Sequence, residues 1–151
     1  VFDDKALSLV TLDLARFYET IDPGFILDHR FVQELTDTNG WIQSEREEYI
    51  AASKSLLDAI AVFRKGASKL IGESVAIGVP VGALTSRVIA NLALASLDRH
   101  IVGQSRVVRY FRYVDDMVLV VSEEFASGDE AIESLMPMAS RSALDCRALA
   151  R

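Results

Sequence analysis

Residues 107–121 read VVRYFRYVDDMVLVV, and this stretch decides the predicted fold. Two runs rich in β-branched and aromatic residues, 107–113 and 117–121, are separated by three residues that include Asp115 and Asp116, which is typical of a tight β-hairpin. Asp favours turns, so an aspartate pair here has an ordinary structural explanation. Two adjacent carboxylates against an apolar sheet also repel each other, however, by roughly 4 kcal/mol at 4 Å and an effective dielectric constant of 20. Uptake of a proton or binding of a cation would relieve this repulsion.

A further carboxylate interrupts a predicted strand near the N-terminus. Residues Ala6 to Leu14 read ALSLVTLDL, an apolar run broken by Asp13, and predict a buried strand. A lone carboxylate there is costly unless it is paired or bound to metal. A salt bridge to Arg16 or Arg112, or a helix cap, would explain it without a function. If the two strands are neighbours, Asp13 and Asp115 converge, and three carboxylates without histidine or thiol favour Mg²⁺ over zinc.

The remaining pattern predicts helices around the sheet. We expect a first helix that starts at the Asp22-Pro23-Gly24 turn and precedes a loop at Thr36–Gly40, and a second helix from Ser44 to about Phe63 that is ended by Gly66 and Ser68. A short strand or hairpin over Lys69–Val79 follows, and then a helix from Thr85 or Ser86 to about Val102 that Gly103 ends. The last expected element is a helix from Asp129 to about Leu149, interrupted by Pro137. This order favours an α+β domain with helices packed on one face of a small antiparallel sheet.

A glycine-containing loop precedes the helix predicted to start at Thr85 or Ser86. Residues 78–82 read GVPVG and lead through Ser86 into a helix. Backbone N–H groups of such a loop can bind a phosphate, although glycine and proline are ordinary in loops and the lysine of a P-loop is missing. We expect Asn91 and Asp98 to cap the helix or hydrogen-bond within it.

Composition limits the class of protein. The 151 residues are half hydrophobic and a quarter charged, which indicates one globular domain. The formal net charge of −6 argues against a free-standing nucleic-acid binder. The single Cys146 excludes an internal disulfide scaffold, and the two histidines show no zinc-site spacing. Without a signal-peptide pattern or a membrane-length apolar segment, we expect a cytoplasmic protein with no membrane partner.

Three motifs occur in an order that resembles reverse transcriptases. LDLARFYETID at 12–22 resembles their first palm motif, GVPVGALTSRVIANLAL at 78–94 the second, and YVDD at 113–116 the Tyr-x-Asp-Asp hairpin. The resemblance implies a polymerase palm with a ferredoxin-like antiparallel sheet. It further implies an RNA-directed DNA polymerase that adds deoxynucleotides to a primer 3′-hydroxyl by two-metal phosphoryl transfer.

The resemblance also assigns roles to residues. Asp13 and Asp115 would bind two Mg²⁺ ions, for which Mn²⁺ is a substitute, with support from Asp116 and the carbonyl of Leu14. Tyr18 falls on the position of the steric gate that excludes a ribose 2′-hydroxyl; as a purely structural residue it would be an aromatic packed beside Phe17. The nucleotide-binding positions implied by the family are Leu14, Ala15, Arg16, Phe17, Tyr18, Pro80, Val81, Gly82 and Ser86.

The second motif departs from the common family pattern. Pro80-Val81-Gly82 and Ser86-Arg87 stand where many reverse transcriptases have Pro-Gln-Gly and Ser-Pro, so an amide beside the sugar is missing. This variant is more similar to bacterial abortive-infection and phage-defence reverse transcriptases than to retron or group II intron proteins.

Segments that flank the palm in the family have little room here. Twelve residues precede Asp13 and 35 follow Asp116, so we expect residues 1–151 to be a palm fragment whose fingers and thumb lie elsewhere in the same protein. The basic charge that binds nucleic acid would then lie on those segments, and the fragment alone would be poorly active. The implied partners are an RNA template, a DNA or RNA primer and dNTP.

Two alternatives to this function remain open. One is a catalytically inactive palm-derived module that binds nucleic acid or acts as a scaffold. The other is a different palm-fold enzyme, such as a nucleotide cyclase or an RNA-templated RNA polymerase.

Overall fold

A computed structural model describes residues 6–75, 77–136 and 144–149, the last range by its backbone pairing. The chain divides into two compact units. Val1–Phe17 and Ala90–Arg151 form one of them, which we call the sheet unit. Tyr18–Ile89 form the other, the helical unit. The predicted α+β class is confirmed.

The sheet unit is built on four antiparallel strands in the order β2-β3-β1-β4. The strands are β1 (Ser8–Leu14), β2 (Val107–Tyr113), β3 (Asp116–Val121) and β4 (Leu144–Leu149). The predicted hairpin of β2 and β3 is confirmed, with β3 beginning at Asp116 rather than Met117. Its connection is therefore a turn of two residues, Val114 and Asp115.

Alternation along β1 and β3 decides which side chains form the core. Residues of one face are buried, and those of the other face are exposed or half-buried, because successive side chains of a strand point to opposite faces. The buried face shares one core with the later part of α4 (Leu84–Val102) and with α5 (Gly128–Leu135). This core consists of Val10, Leu12, Leu14, Leu94, Leu97, Ile101, Met117, Leu119, Val121, Phe125, Ala131, Leu135 and Met136. The opposite face exposes Leu9, Phe111 and Tyr113 and is called the open face below.

The helical unit begins with short elements whose ends are capped by aspartates. The helix α1 (Phe17–Thr20) crosses the unit boundary and is followed by a 3₁₀ helix, Pro23–Leu27, and by α2 (His29–Asn39). Asp22 accepts a hydrogen bond from the N–H of Gly24, and Asp28 caps α2 through the N–H groups of Arg30 and Phe31. The single helix predicted to start at Asp22 is thus two helices. The predicted loop at 36–40 is wrong for residues 36–39, which are helical, while Gly40 ends α2 at φ 63°.

The long helix α3 (Gln43–Ile71) extends past the predicted stop at Gly66 and Ser68. A glycine inside a helix costs only about 1 kcal/mol, and the Ser68 hydroxyl donates to the carbonyl of Arg64 within the helix. The helix ends instead at Gly72, whose φ of 75° is left-handed. The predicted strand or hairpin over 69–79 is therefore wrong within the described residues of that range. Among the helices that the structure describes, none is long and apolar enough to cross a bilayer.

The C-terminal helix predicted over 129–149 is confirmed only in its first part. Residues 129–135 belong to α5, whereas Leu144–Leu149 form β4 along one edge of β1. An unpaired edge of β1 would leave backbone N–H and C=O groups without partners, and pairing with β4 satisfies them. Pairing with β1 thus outweighs the local preference of residues 144–149 for a helix. Pro137 lies outside the described residues.

Candidate functional site

The strand register places the first predicted motif beside the third. β1 and β3 pair from Ser8 with Val121 to Leu12 with Met117, and the same register continued by one residue sets Asp13 opposite Asp116. Cross-strand neighbours point to the same face, and both aspartates are exposed on the open face. Tyr113 pairs with Asp116 from the other side and is 72% exposed. Residues separated by about 100 positions in the chain thus meet at one end of the open face.

A fourth aspartate position lies on the strand next to Asp13, in line with Asp116 and Asp13. Asp145 of β4 pairs with Asp13 across the opposite edge of β1. Register therefore aligns positions 116, 13 and 145 on three neighbouring strands. Sequence reasoning missed position 145, because it assigned this segment to a helix.

Backbone strain occurs next to both aspartate motifs. Val114 and Arg16 have φ angles of 58° and 53°, and they are the non-glycine residues with positive φ in the described part of the chain. Val114 immediately precedes Asp115, and Arg16 follows Asp13 by three residues. Positive φ is especially unfavourable for a β-branched residue, and strain of this kind costs about 1–3 kcal/mol. Such strain concentrates at functional sites, so its position supports the choice of these two turns.

The oxygen donors at this end of the sheet suit a hard divalent cation. Asp13 and Asp116 are exposed, Asp115 is half-buried, and all three offer only carboxylate oxygens. Leu14 is buried, so only its backbone carbonyl fits the predicted role. No three His, Cys, Asp or Glu side chains within the described ranges are grouped closely enough to hold a metal as they stand. Carboxylates repel each other by about 1 kcal/mol at 4 Å in water, so exposed ones spread apart until a cation draws them together.

A charged network occupies the buried side of the same hairpin. Arg112 donates through Nε and Nη2 to the two carboxylate oxygens of Asp98, at 2.8 and 2.6 Å, and through Nη1 to Oδ1 of Asn91 at 2.8 Å. The Tyr110 hydroxyl also donates to Asp98, at 2.6 Å. Asn91 and Asp98 thus bind the hairpin, and the prediction that they cap or bond within the helix is wrong. Arg112 is paired with Asp98, which leaves Asp13 without that proposed salt bridge.

This network shifts the pKa values of its members. Partial burial by itself would raise the pKa of Asp98, but hydrogen bonds from Arg112 and Tyr110 and the positive charge of Arg112 outweigh it and lower that pKa. Burial and the bond to Asp98 raise the pKa of Tyr110. The hydrogen bond to Asp98 raises the pKa of Arg112, so the pair is fully ionised at neutral pH.

The lowered pKa of Asp98 predicts a stability contribution that acid removes. Because the unfolded chain binds this proton more readily than the folded one, the contribution is complete above the ordinary pKa of 3.8 and is lost as pH falls through the lower folded value. Asp98→Asn should therefore reduce the free energy of unfolding by about 1–2 kcal/mol at pH 6 and by much less at pH 3. Urea unfolding of both proteins at the two pH values measures this. A gap that is the same at both would contradict the ion pair.

The helical unit holds the glycine loop of the second motif against the segment that follows the first. Gly78 donates to the carbonyl of Ile21 at 3.0 Å, and Val79 donates to the carbonyl of Tyr18 at 2.8 Å. Arg64 of α3 donates through Nε and Nη2 to the carbonyl of Gly78, at 2.9 and 2.7 Å. Two predicted motifs are thus joined by backbone bonds, and an arginine that sequence reasoning did not select holds the junction.

The predicted nucleotide-binding residues differ in exposure. Ala15, Arg16, Val81 and Gly82 are exposed, and Phe17, Tyr18 and Pro80 are half-buried. Ser86 is fully buried, and its hydroxyl has no hydrogen-bond partner among the residues that the structure describes. Asp13, Asp115 and Asp116 belong to the sheet unit, while Tyr18 and residues 80–86 belong to the helical unit.

Comparison with known proteins adds no family assignment. No family model, curated protein or solved structure matches the chain.

Proposed function

We propose that this chain is the ferredoxin-like palm domain of an RNA-directed DNA polymerase that adds deoxynucleotides to the 3′-hydroxyl of a primer. Its variant second motif, with Val81 and Arg87 in place of the common Gln and Pro, favours an enzyme of the bacterial phage-defence type. The proposed partners are an RNA template, a primer and dNTP, and the proposed cofactor is Mg²⁺.

One observation carries this proposal. The β1–β3 register, continued by one residue beyond the Leu12–Met117 pair, sets Asp13 opposite Asp116, next to the turn that contains Asp115. The motif resemblance requires these three residues to act together, although the chain separates Asp13 from the others by about 100 residues. If each aspartate had only a local structural role, there would be no reason for them to lie close together on an exposed face.

The strand order supports the palm assignment at the level of topology. With β4 and the helices, the sheet unit has a β-α-β-β-α-β succession and the order β2-β3-β1-β4. Ferredoxin-like domains have such a succession. The elements from α1 to α3 form an insertion between β1 and α4, and the second motif, 78–94, follows α3 and continues into α4.

The residues would divide the work of phosphoryl transfer. Divalent ions held here would supply a lower pKa for the attacking hydroxyl and positive charge for the triphosphate. Asp13 and Asp115 would hold these ions, and Asp116 would add negative charge beside Asp13. The turns at Arg16 and Val114 place strained backbone next to these carboxylates, which is where functional sites concentrate strain.

Tyr18 would set the preference for deoxynucleotides. Its ring is half-buried, and its carbonyl is bound by Val79 of the loop. An aromatic ring beside the sugar would exclude a 2′-hydroxyl by steric contact. We therefore propose dNTP rather than NTP as the substrate.

Primer extension on an RNA template tests the proposal. The longest natural protein that contains this chain should incorporate dNTP in the presence of Mg²⁺ or Mn²⁺, discriminate against NTP, and stop when EDTA removes the metal. Incorporation of NTP at an equal rate would indicate an RNA polymerase. Nucleotide turnover without any primer would indicate a cyclase.

A second candidate is a palm-derived module that binds nucleic acid or acts as a scaffold without catalysis. It is favoured by the finding that the described side chains form no ready group of three metal ligands. Binding of a primed template together with absence of incorporation under all these conditions would select it.

A further inference from the structure

The turn between β2 and β3 is fastened to α4 by one side chain. Besides its bonds to Asp98 and Asn91, Arg112 donates from Nη1 to the carbonyl of Val114 at 2.9 Å. Its side chain is 13% exposed. Four hydrogen bonds thus use four of the five N–H groups of one guanidinium.

The acceptors on α4 fix where this guanidinium lies. Asn91 and Asp98 are seven residues apart, which places them on one side of the helix two turns from each other. Arg112 and the inward-facing Tyr110 share the carboxylate between them. The helix therefore sets the position of the guanidinium, and the guanidinium sets the position of the Val114 carbonyl.

The hydrogen bond from Arg112 restrains the backbone at Val114, a residue with strained geometry. Its φ of 58° is unfavourable for valine, so a free turn of this sequence would relax toward negative φ. That relaxation rotates the peptide that leads into Asp115. Pairing of Tyr113 with Asp116 around a two-residue connection already favours positive φ at this position, and the Arg112 bond to the Val114 carbonyl adds a restraint from outside the turn.

We propose that Arg112 is a positioning residue that holds the strained turn and thereby aims Asp115 and Asp116. This inference rests on the proposed function of these carboxylates. It also gives Asn91 and Asp98 a role, since they orient the guanidinium. Lysine cannot replace Arg112, because a single ammonium cannot span a carboxylate, an amide and a carbonyl at once.

The test combines Arg112→Lys with Val114→Gly. Arg112→Lys keeps the charge opposite Asp98, so the fold should persist, and we expect kcat for primer extension to fall about 10- to 100-fold, the size of effect that misplacement by an ångström produces. The KM for dNTP should stay within about twofold. Glycine adopts positive φ without strain, so Val114→Gly in the Arg112→Lys background should recover about tenfold in kcat. Arg109→Lys is the matched control, since Arg109 lies on the open face of the same strand and bonds to the Val108 carbonyl.

A second readout does not depend on activity. The three-bond coupling between the amide and α protons of Val114 reports φ and should change in Arg112→Lys but not in Arg109→Lys. Should Arg112→Lys fail to fold, Asn91→Ala removes one anchor of the guanidinium and should give a smaller shift in the same direction.

The two ways of failing are distinguishable. If the parental protein extends no primer, the proposed function fails, and the coupling constant alone decides whether Arg112 holds the turn. If the parental protein is active but Arg112→Lys keeps its kcat, or if Val114→Gly gives no recovery, the positioning role is overturned while the polymerase function stands.

Discussion

Asp115→Asn will lower the rate of primer extension at least about a thousandfold and leave the fold intact. Asparagine has the shape of aspartate but no charge, so the loss falls on cation binding and on stabilisation of the transition state. A thousandfold corresponds to about 4 kcal/mol. Asp13→Asn should have an effect of the same order. Single-nucleotide incorporation at saturating dNTP measures both.

Loss of charge at Asp13 or at the opposing Asp116 should increase stability even where it lowers activity. Asp13 and Asp116 are like charges at directly opposed positions, which is destabilising, so Asp13→Asn or Asp116→Asn should raise the melting temperature slightly. Asp58→Asn is the matched control, because Asp58 is an exposed aspartate of α3 outside the motifs. It should change neither activity nor stability. Parental activity in the Asp115→Asn protein would refute the catalytic assignment.

Gly78→Ala is expected to destabilise the helical unit by about 3 kcal/mol or more. A Cβ at this position would lie 2.8 Å from the carbonyl oxygen and 3.0 Å from the Cα of Glu19, and both are backbone atoms that cannot move independently. The φ of 96° adds strain for any residue with a side chain. Backbone strain contributes about 1–2 kcal/mol of this loss, and overpacking contributes about 1–3 kcal/mol. Urea unfolding measures it.

Gly82→Ala separates the two causes. Gly82 has a similar φ of 86°, but a Cβ there would meet open space. We expect a loss of only about 1–2 kcal/mol, from strain alone. Equal losses at the two glycines would mean that the loop does not pack against Glu19 as described.

The carboxylates of the candidate site could be found from the sequence because strand periodicity and turn chemistry are local. Asp13 stands out as polar in an apolar run, and the Asp115–Asp116 pair stands out between two β-rich runs. These signals also predict the hairpin. They do not give the register, which depends on how strands from distant parts of the chain pair. That register sets Asp116 rather than Asp115 opposite Asp13.

Most of the features that sequence reasoning missed depend on tertiary contacts, but the length of α3 does not. Gly66 and Ser68 look like a helix end, yet α3 continues to Ile71 with Leu70 89% exposed, because one glycine inside a helix costs only about 1 kcal/mol. β4 forms because β1 offers an unpaired edge. The sequence contains one weak indication that Arg112 has a structural partner. Its neighbours in the strand, Phe111 and Tyr113, face outward, so Arg112 must point inward, where its charge needs a partner. Only the structure shows that α4 supplies the matching carboxylate.

The alternation of β1 has a consequence for how this chain can vary in length. From Ser8 to Asp13 each residue contacts either the core or solvent according to whether its number is even or odd. Loss or gain of one residue within this strand would turn Asp13 toward the core and Leu12 toward water. In related chains that share the site, insertions and deletions must therefore fall outside this segment.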